Sequence, residues 1–183
     1  MVGAEMKVGL VRHYKVKKDY PSQFLISARE LDQWFAEYDE SDIELGRTDL
    51  GGIEWNRCYA SDMSRAVHTA EHIYEGEITQ WKMLREVPPP SFRTKVRLPL
   101  MVWAILIKTS WFTAPRSMPE SMADIRKRAD AVLDEIFRQD DGNVLIVSHA
   151  ALMMTMRKAL LARGFRGPKF GTPENGKLYL FEN

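Results

Sequence analysis

Residues 143–149, with the sequence NVLIVSH, form the segment that most constrains the fold of this chain. The run from Val144 to Val147 is apolar without interruption, which is typical of a strand buried on both faces of a parallel sheet. It then becomes polar at Ser148 and His149, just before a helix-like segment. In sheets of this kind, ligands bind beyond the carboxyl ends of the strands.

The rest of the chain alternates short apolar runs with amphipathic helical patterns. Ser27 and Glu30 are spaced as a capping box at the start of the first helix. Strands are predicted over residues 6–12, 57–61, 77–84, 143–149 and 177–182, and helices over residues 27–39, 62–76, 117–137 and 150–164. This alternation favours an α/β fold, a mainly parallel sheet covered by helices on both faces in three layers.

Length and composition limit the classes of protein to which the chain can belong. Its 183 residues, 45% hydrophobic and 28% charged, are expected to form a single domain over residues 1–183. A net charge of +1 gives no reason to expect nucleic acid or a membrane as a partner. Cys58 is the single cysteine, which excludes an internal disulfide. The single cysteine, together with an N-terminus that lacks a signal-peptide pattern, favours a cytoplasmic location.

Three predicted strands end in residues that suit the binding of an anion. These residues are Arg12 and His13, Ser61 and Arg65, and Ser148 and His149. Because the carboxyl ends of parallel strands meet at one edge of a sheet, two histidines and two arginines are expected to share one crevice. The dianion of a phosphate monoester suits that crevice, since arginine binds phosphate oxygens in a forked geometry. Helix amino ends near residues 62 and 150 are expected to add N–H groups.

The segments LVRH, YASDMSRAVHTA and VLIVSHAALM resemble those of the histidine phosphatase superfamily, the group of phosphoglycerate mutase-like enzymes. Their order and approximate spacing agree over nearly the whole chain, and YASDMSRAVHTA is the most specific of them. The resemblance implies a phosphoglycerate mutase-like fold and catalysis through a phosphohistidine. It makes His13 the nucleophile and Arg12, Arg65 and His149 the phosphate-binding groups, with no metal or other cofactor.

A departing alkoxide also needs a proton. In the family an acid after the third strand supplies it, and Glu86 in MLREVPPP stands at the matching place. A carboxyl group works as this acid only if its pKa is raised towards the operating pH. Glu120 is a weaker candidate, because it fits better as the capping partner of Ser117.

Several positions depart from the family's usual pattern. Tyr14 replaces the glycine after the nucleophile, and Asp19 replaces an asparagine that often helps to hold phosphate. Ala150 replaces the glycine after the second histidine. Ser61, Asp19 and Ala150 are nevertheless candidate substrate-binding residues by their positions. A carboxylate at position 19 is expected to repel phosphate unless a neighbouring lysine pairs with it.

Residues 87–117 are predicted to form a compact, irregular insertion. The resemblance implies that this insertion builds a cap over the site and selects the substrate, because members of the family have their cap at this place. Trp103, Trp111 and Phe112 suit a lid that packs on the leaving group of a substrate. Packing in the core, or the contact face of a homodimer, is the alternative for these side chains.

The sequence therefore predicts a metal-independent phosphatase that hydrolyses a phosphate monoester, either a small molecule or a phosphoprotein. Three alternatives remain open: a phosphoglycerate mutase-type phosphotransferase, a protein-phosphohistidine phosphatase, and a catalytically inactive phosphate-binding or scaffold protein. The compact apolar insertion gives no evident second phosphate site, which disfavours the mutase.

Overall fold

The computed structural model describes residues 6–113, 118–139 and 142–183, with the backbone alone for residues 111–113. The strands are β1 (Lys7–Arg12), β2 (Ile26–Ser27), β3 (Arg57–Ser61), β4 (Ile78–Trp81), β5 (Arg97–Leu98), β6 (Val144–Ser148) and β7 (Leu178–Glu182). The helices are α1 (Ala28–Glu40), α2 (Ser64–Ile73), α3 (Leu100–Thr113), α4 (Met122–Arg138) and α5 (Ala150–Ala162). These elements confirm the predicted α/β class.

Five strands form one mostly parallel sheet in the order β4-β3-β6-β1-β7. The central strand β6 pairs in parallel with both β1 and β3, whereas β7 runs antiparallel beside β1. The register sets Arg12 opposite Ser148 and Ala60 opposite Val147. The carboxyl ends of β1, β3 and β6 therefore lie side by side, as the sequence predicts.

The two covered faces of the sheet explain why β6 is apolar at every interior position. Val144 and Ile146 belong to a buried cluster with residues of α4 and α5. Leu145 and Val147 belong to a second cluster, with residues of α2. On α4, Ile125, Ala129, Val132 and Ile136 are buried at spacings of three and four residues, which places them on one face of the helix. Helices thus cover both faces of the sheet, and the three layers are confirmed.

Helix α4 begins later than predicted. Its first residue is Met122, and its capping box consists of Ser121 and Asp124. The capping pair Ser117 and Glu120 is therefore wrong, and Ser117 lies outside the described residues. The capping box predicted for α1 is confirmed: the Ser27 side chain accepts from the Glu30 backbone, and the Glu30 side chain accepts in return.

The segment predicted to be irregular contains the short strand β5 and the helix α3, so that prediction is wrong. Trp103 on α3 is fully buried, packs with Leu31, and donates from Nε1 to the Ile26 carbonyl at 2.9 Å. This ring is part of the core. The side chains of Trp111 and Phe112 lie outside the described residues. Across the described ranges, no helix has both the length and the apolar character needed to cross a bilayer.

Candidate active site

The basic residues predicted at the strand ends come together in the structure. Arg12, His13 and Arg65 line one cavity of about 880 Å³, and Glu86 lines it as well. His149 lies directly behind this wall, with its ring centroid 5.1 Å from that of His13. The cavity opens beyond the carboxyl ends of β1, β3 and β6, where a ligand is expected in a parallel sheet.

His13 is held from three directions at the end of β1. Its backbone N–H donates to the Ser148 carbonyl at 3.0 Å, and Asn175 Nδ2 donates to its carbonyl at 2.7 Å. Its ring Nδ1 lies 2.7 Å from the Tyr14 carbonyl. Because a carbonyl oxygen only accepts, Nδ1 carries the proton and Nε2 keeps its lone pair. No hydrogen bond within the described residues engages Nε2.

Both histidine rings are neutral at physiological pH. The pKa of His13 is lowered to about 3, mainly by burial, with the guanidinium groups of Arg65 and Arg12 adding to the effect and the hydrogen bond to Tyr14 opposing it. Burial also lowers the pKa of His149 well below its ordinary value, with His13 adding to the effect. A neutral imidazole has the free lone pair that nucleophilic attack requires.

Three buried nitrogen atoms near this wall have no hydrogen-bond partner among the described residues: Arg12 Nε, Arg65 Nε and His149 Nδ1. His149 Nε2 is engaged, since it lies 2.8 Å from Ser61 Oγ. Leaving a buried polar atom unpaired costs about 1–3 kcal/mol. An oxyanion is the kind of acceptor that guanidinium groups such as those of Arg12 and Arg65 bind most strongly.

Arg65 has an acidic partner that the sequence did not indicate. Its side chain is 4% exposed, and Nη1 donates to Asp39 Oδ1 at 2.7 Å, while the Asp39 side chain is 50% exposed. The guanidinium carbon lies 5.2 Å from the ring centroid of Tyr38. Arg12 is held differently, because its Nη1 donates to the Pro173 carbonyl at 3.0 Å. Asp39 and Tyr38 line the cavity from α1, a position that no local pattern signals.

Glu86 reaches the cavity because β4 ends at Trp81, earlier than predicted, and a 3₁₀ turn follows. Its carboxyl group accepts from the backbone N–H of Val87 at 2.9 Å, Ala151 at 3.2 Å and Leu152 at 3.4 Å. Burial raises the pKa of Glu86, although these N–H groups act in the opposite direction. The condition for an acid at this position is therefore met.

The amino end of α5 differs from the expectation. Its N–H groups at Ala151 and Leu152 are engaged by Glu86, so they are not open to a phosphate. Ala150 lines the cavity, and its N–H makes no hydrogen bond within the described ranges. Helix α2 begins at Ser64, after residue 62, and carries no side-chain cap.

Asp19 does not lie on the cavity wall. It is exposed, and its backbone carbonyl accepts from Trp34 Nε1 at 2.8 Å. Lys18 pairs with a glutamate of α1 and not with Asp19. Tyr14 is buried, with its hydroxyl 3.0 Å from Thr48 Oγ1. The side chains of Tyr14 and Asp19, two of the three substitutions in the family pattern, therefore lie outside the cavity wall.

Arg128 on α4 holds the segment that carries Glu86, a contact that no local sequence pattern indicates. Its Nη1 donates to the carbonyls of Met83 at 2.9 Å and Arg85 at 2.7 Å. Its Nε and Nη2 each donate to Glu120 at 2.7 Å. Glu120, the weaker candidate for the acid, is thus bound on both oxygens by Arg128.

His68 and His72 lie four residues apart on α2, which is a spacing found in metal sites. His72 Nε2 lies 3.1 Å from the Gly46 carbonyl. Within the parts of the chain that are described, no three histidine, cysteine or acidic side chains are grouped to hold a metal ion.

A known protein family matches most of the chain. The family model of the histidine phosphatase superfamily (branch 1) matches residues 40–182. This match begins after Arg12 and His13, so their place in the site rests on the pairing of β1 with β6 and on the cavity. No curated protein matches the chain at a significant level.

Solved structures share the fold over most of the chain. A phosphoglycerate mutase from Bacillus anthracis has a TM-score of 0.61 at 19% identity, covering 98% of this chain and 88% of that one. A phosphoserine phosphatase from Entamoeba histolytica has a TM-score of 0.56 at 18% identity, covering 96% and 89%. A mycobacterial glucosyl-3-phosphoglycerate phosphatase has a TM-score of 0.56 at 20% identity, covering 86% and 80%. With the fold shared and the family model matching most of its length, this chain belongs to the histidine phosphatase superfamily.

Proposed function

We propose that this protein hydrolyses a phosphate monoester through a covalent phosphohistidine on His13, without a metal ion. The observation that carries the proposal is the state of the His13 ring. Its proton is fixed on Nδ1 by the Tyr14 carbonyl, its pKa is lowered to about 3, and it lines a cavity with Arg12 and Arg65. A neutral nucleophile beside two fixed cations suits attack on a phosphate dianion.

The reaction then has two steps. His13 Nε2 attacks phosphorus, so that an N–P bond forms while the bond from phosphorus to the ester oxygen breaks. Glu86 gives its proton to that oxygen, and the alcohol departs neutral. Water next attacks the phosphohistidine and gives a proton to the Glu86 carboxylate. The N–P bond breaks, and inorganic phosphate leaves.

The charge that spreads over the equatorial oxygens is stabilised by groups already in place. Arg12, Arg65 and His149 Nδ1 are the donors that lack acceptors in the absence of a ligand. Removing one such preorganised donor costs about 3–4 kcal/mol of transition-state stabilisation.

Hydrolysis is favoured over the mutase reaction by the pairing of the remaining arginines at the cavity. Arg85 is bound on two nitrogens by Asp62, and Arg128 is bound by Glu120. Among the described residues, the cations that the cavity wall offers beyond these arginines and the phosphate-binding pair are Lys82 and Lys108, so a second phosphate would find no free guanidinium group to bind it in a forked geometry.

The test is hydrolysis of p-nitrophenyl phosphate in excess EDTA by the wild type, His13→Ala and His68→Ala. His68 is exposed on α2 outside the cavity and serves as the matched control. We expect turnover by the wild type and the control, none by His13→Ala, and an alkali-stable, acid-labile phosphoenzyme in the wild type and the control but not in His13→Ala. An active His13→Ala variant would overturn the mechanism, and interconversion of phosphoglycerates without net hydrolysis would assign the mutase reaction instead.

A further inference from the structure

We propose that the cavity contains a subsite for an aromatic ring in the leaving group of the substrate. This inference rests on the proposed function, because it names the class of phosphate ester that the same site accepts. The cavity of about 880 Å³ is far larger than a phosphate group requires, and most of the remaining wall is apolar.

Aromatic rings on α1 and just before it form a row that begins beside Arg65. The ring of Tyr38 lies 5.2 Å from the guanidinium carbon of Arg65, and the ring of Trp34 lies 5.3 Å from that of Tyr38. Tyr20 stacks on Trp34 at 5.6 Å with an interplanar angle of 15°. A ligand whose phosphate contacts Arg65 therefore has an aromatic surface beside its next atoms.

Trp34 is suited to contact a ring because its polar group is already satisfied. Its Nε1 donates to the Asp19 carbonyl at 2.8 Å, which leaves the apolar indole surface for the cavity. The cap adds further apolar wall at Ala104 and Ile107 of α3 and at Pro89, next to the single charged group Lys108. Aromatic pairs gain stabilisation beyond their buried area when the rings lie offset or edge to face.

The charged groups of the cavity wall beyond Arg12 and Arg65 are of mixed sign. Arg85 and Arg128 are paired with carboxylates, as described above. Lys82 and Lys108 line the cavity together with Asp39, Glu86 and Glu120. The row of aromatic rings is therefore the feature that distinguishes this wall, and it selects a phosphate monoester whose alcohol carries an aromatic ring.

The test measures binding of three non-hydrolysable phosphonates by calorimetry: benzylphosphonate, cyclohexylmethylphosphonate and 3-phosphonopropionate. The first two have similar size and differ in aromaticity, and the third adds a carboxylate. We expect benzylphosphonate to bind about tenfold more tightly than the other two.

Two variants test which side chains cause this preference. Trp34→Leu should abolish it, and so should Tyr20→Leu, whose side chain is 72% exposed and therefore contributes little to folding. Phe24→Leu removes an equally exposed ring outside the cavity and should leave the preference intact.

Equal affinity for the benzyl and cyclohexylmethyl ligands, tighter binding of the carboxylate, or a preference unchanged in Trp34→Leu and Tyr20→Leu would each overturn the subsite. Turnover of benzyl phosphate, measured in parallel, reports on the chemistry alone. Selective binding without turnover would therefore contradict the proposed function while supporting the aromatic subsite.

Discussion

Arg65 and Asp39 form an ion pair inside the candidate active site, with Nη1 of the arginine 2.7 Å from Oδ1 of the aspartate. The arginine is buried, whereas the aspartate side chain is half exposed. The carboxylate thus occupies one nitrogen of a guanidinium group that is expected to bind phosphate, and its negative charge faces the same cavity. Phosphate binding must either displace Asp39 or share Arg65 with it.

Asp39→Asn should therefore bind inorganic phosphate about fivefold more tightly, because a partly exposed charge at this distance contributes on the order of 1 kcal/mol. Titration calorimetry measures the change. Asp32→Asn, at an exposed position of the same helix outside the cavity, is the control. Weaker phosphate binding by Asp39→Asn would mean that Asp39 orients Arg65 for the ligand.

The pH dependence of kcat/KM tests the state of His13 in the free enzyme. Since the pKa of His13 is lowered to about 3, the ring stays neutral and nucleophilic at every pH above that value. After correction for ionisation of the substrate, kcat/KM should show no loss near about pH 6.5, where an ordinary histidine titrates. A loss of activity on acidification through that region would contradict the assignment.

Glu86→Gln should impair substrates with poor leaving groups most. General acid catalysis contributes about 10²–10⁴-fold, and p-nitrophenolate needs little of that assistance. Because the pKa of Glu86 is raised, kcat/KM of the wild type for alkyl phosphates should fall as rising pH removes the proton from Glu86. The variant should not show this decrease. Glu71→Gln, exposed on α2, is the control. An equal loss for all leaving groups would remove Glu86 from the acid role.

Arg128 positions the segment of Glu86 through the carbonyls of Met83 and Arg85, so its loss should impair proton donation by Glu86. Arg128→Met should lower kcat for alkyl phosphates about tenfold and leave KM nearly unchanged, since small displacements of a catalytic group are costly. Arg126→Met, at an exposed position of the same helix, provides the control.

The double variant Arg128→Met/Glu120→Met separates positioning from stability. Removing both partners avoids a lone buried carboxylate, so the free energy of unfolding should recover relative to Arg128→Met. The kcat should stay low, because the carbonyls of Met83 and Arg85 still lack their hydrogen-bond donor. Recovery of kcat together with stability would show that the role of Arg128 is structural only.

Trp103→Ala tests how firmly the cap is attached to α1. The ring is fully buried and its Nε1 bonds to Ile26, so the free energy of unfolding should fall by about 3–5 kcal/mol. Urea denaturation followed by circular dichroism measures the loss. A change below about 1 kcal/mol would mean that α3 unfolds independently of the sheet.

The parts of the fold that the sequence predicted depend on regular local patterns. The apolar run of β6 identified a strand covered on both faces, and the polar residues after β1, β3 and β6 identified the edge where the site lies. The segment around Arg65 correctly placed this arginine at the same edge of the sheet, on the cavity wall. These features require only sequence periodicity and the geometry of a parallel sheet.

The parts that were missed depend on contacts between distant segments. Helix α3 is apolar almost throughout and lacks the 3.6-residue alternation that marks an amphipathic helix, so its sequence resembled an irregular insertion. Asp39 contacts Arg65 across 26 residues, and Arg128 contacts Met83 across 45 residues. Such pairs are set by how the helices pack, and single-sequence patterns carry no signal for them.

Two segments far apart in the sequence meet at His13, with consequences for synthesis. Asn175 holds the His13 carbonyl across a separation of 162 residues, and Pro173 accepts from Arg12 across 161. A ribosome has therefore made β1 long before these partners emerge. The candidate site of the nascent chain is incomplete until residues 173–175 have been synthesised and have reached β1.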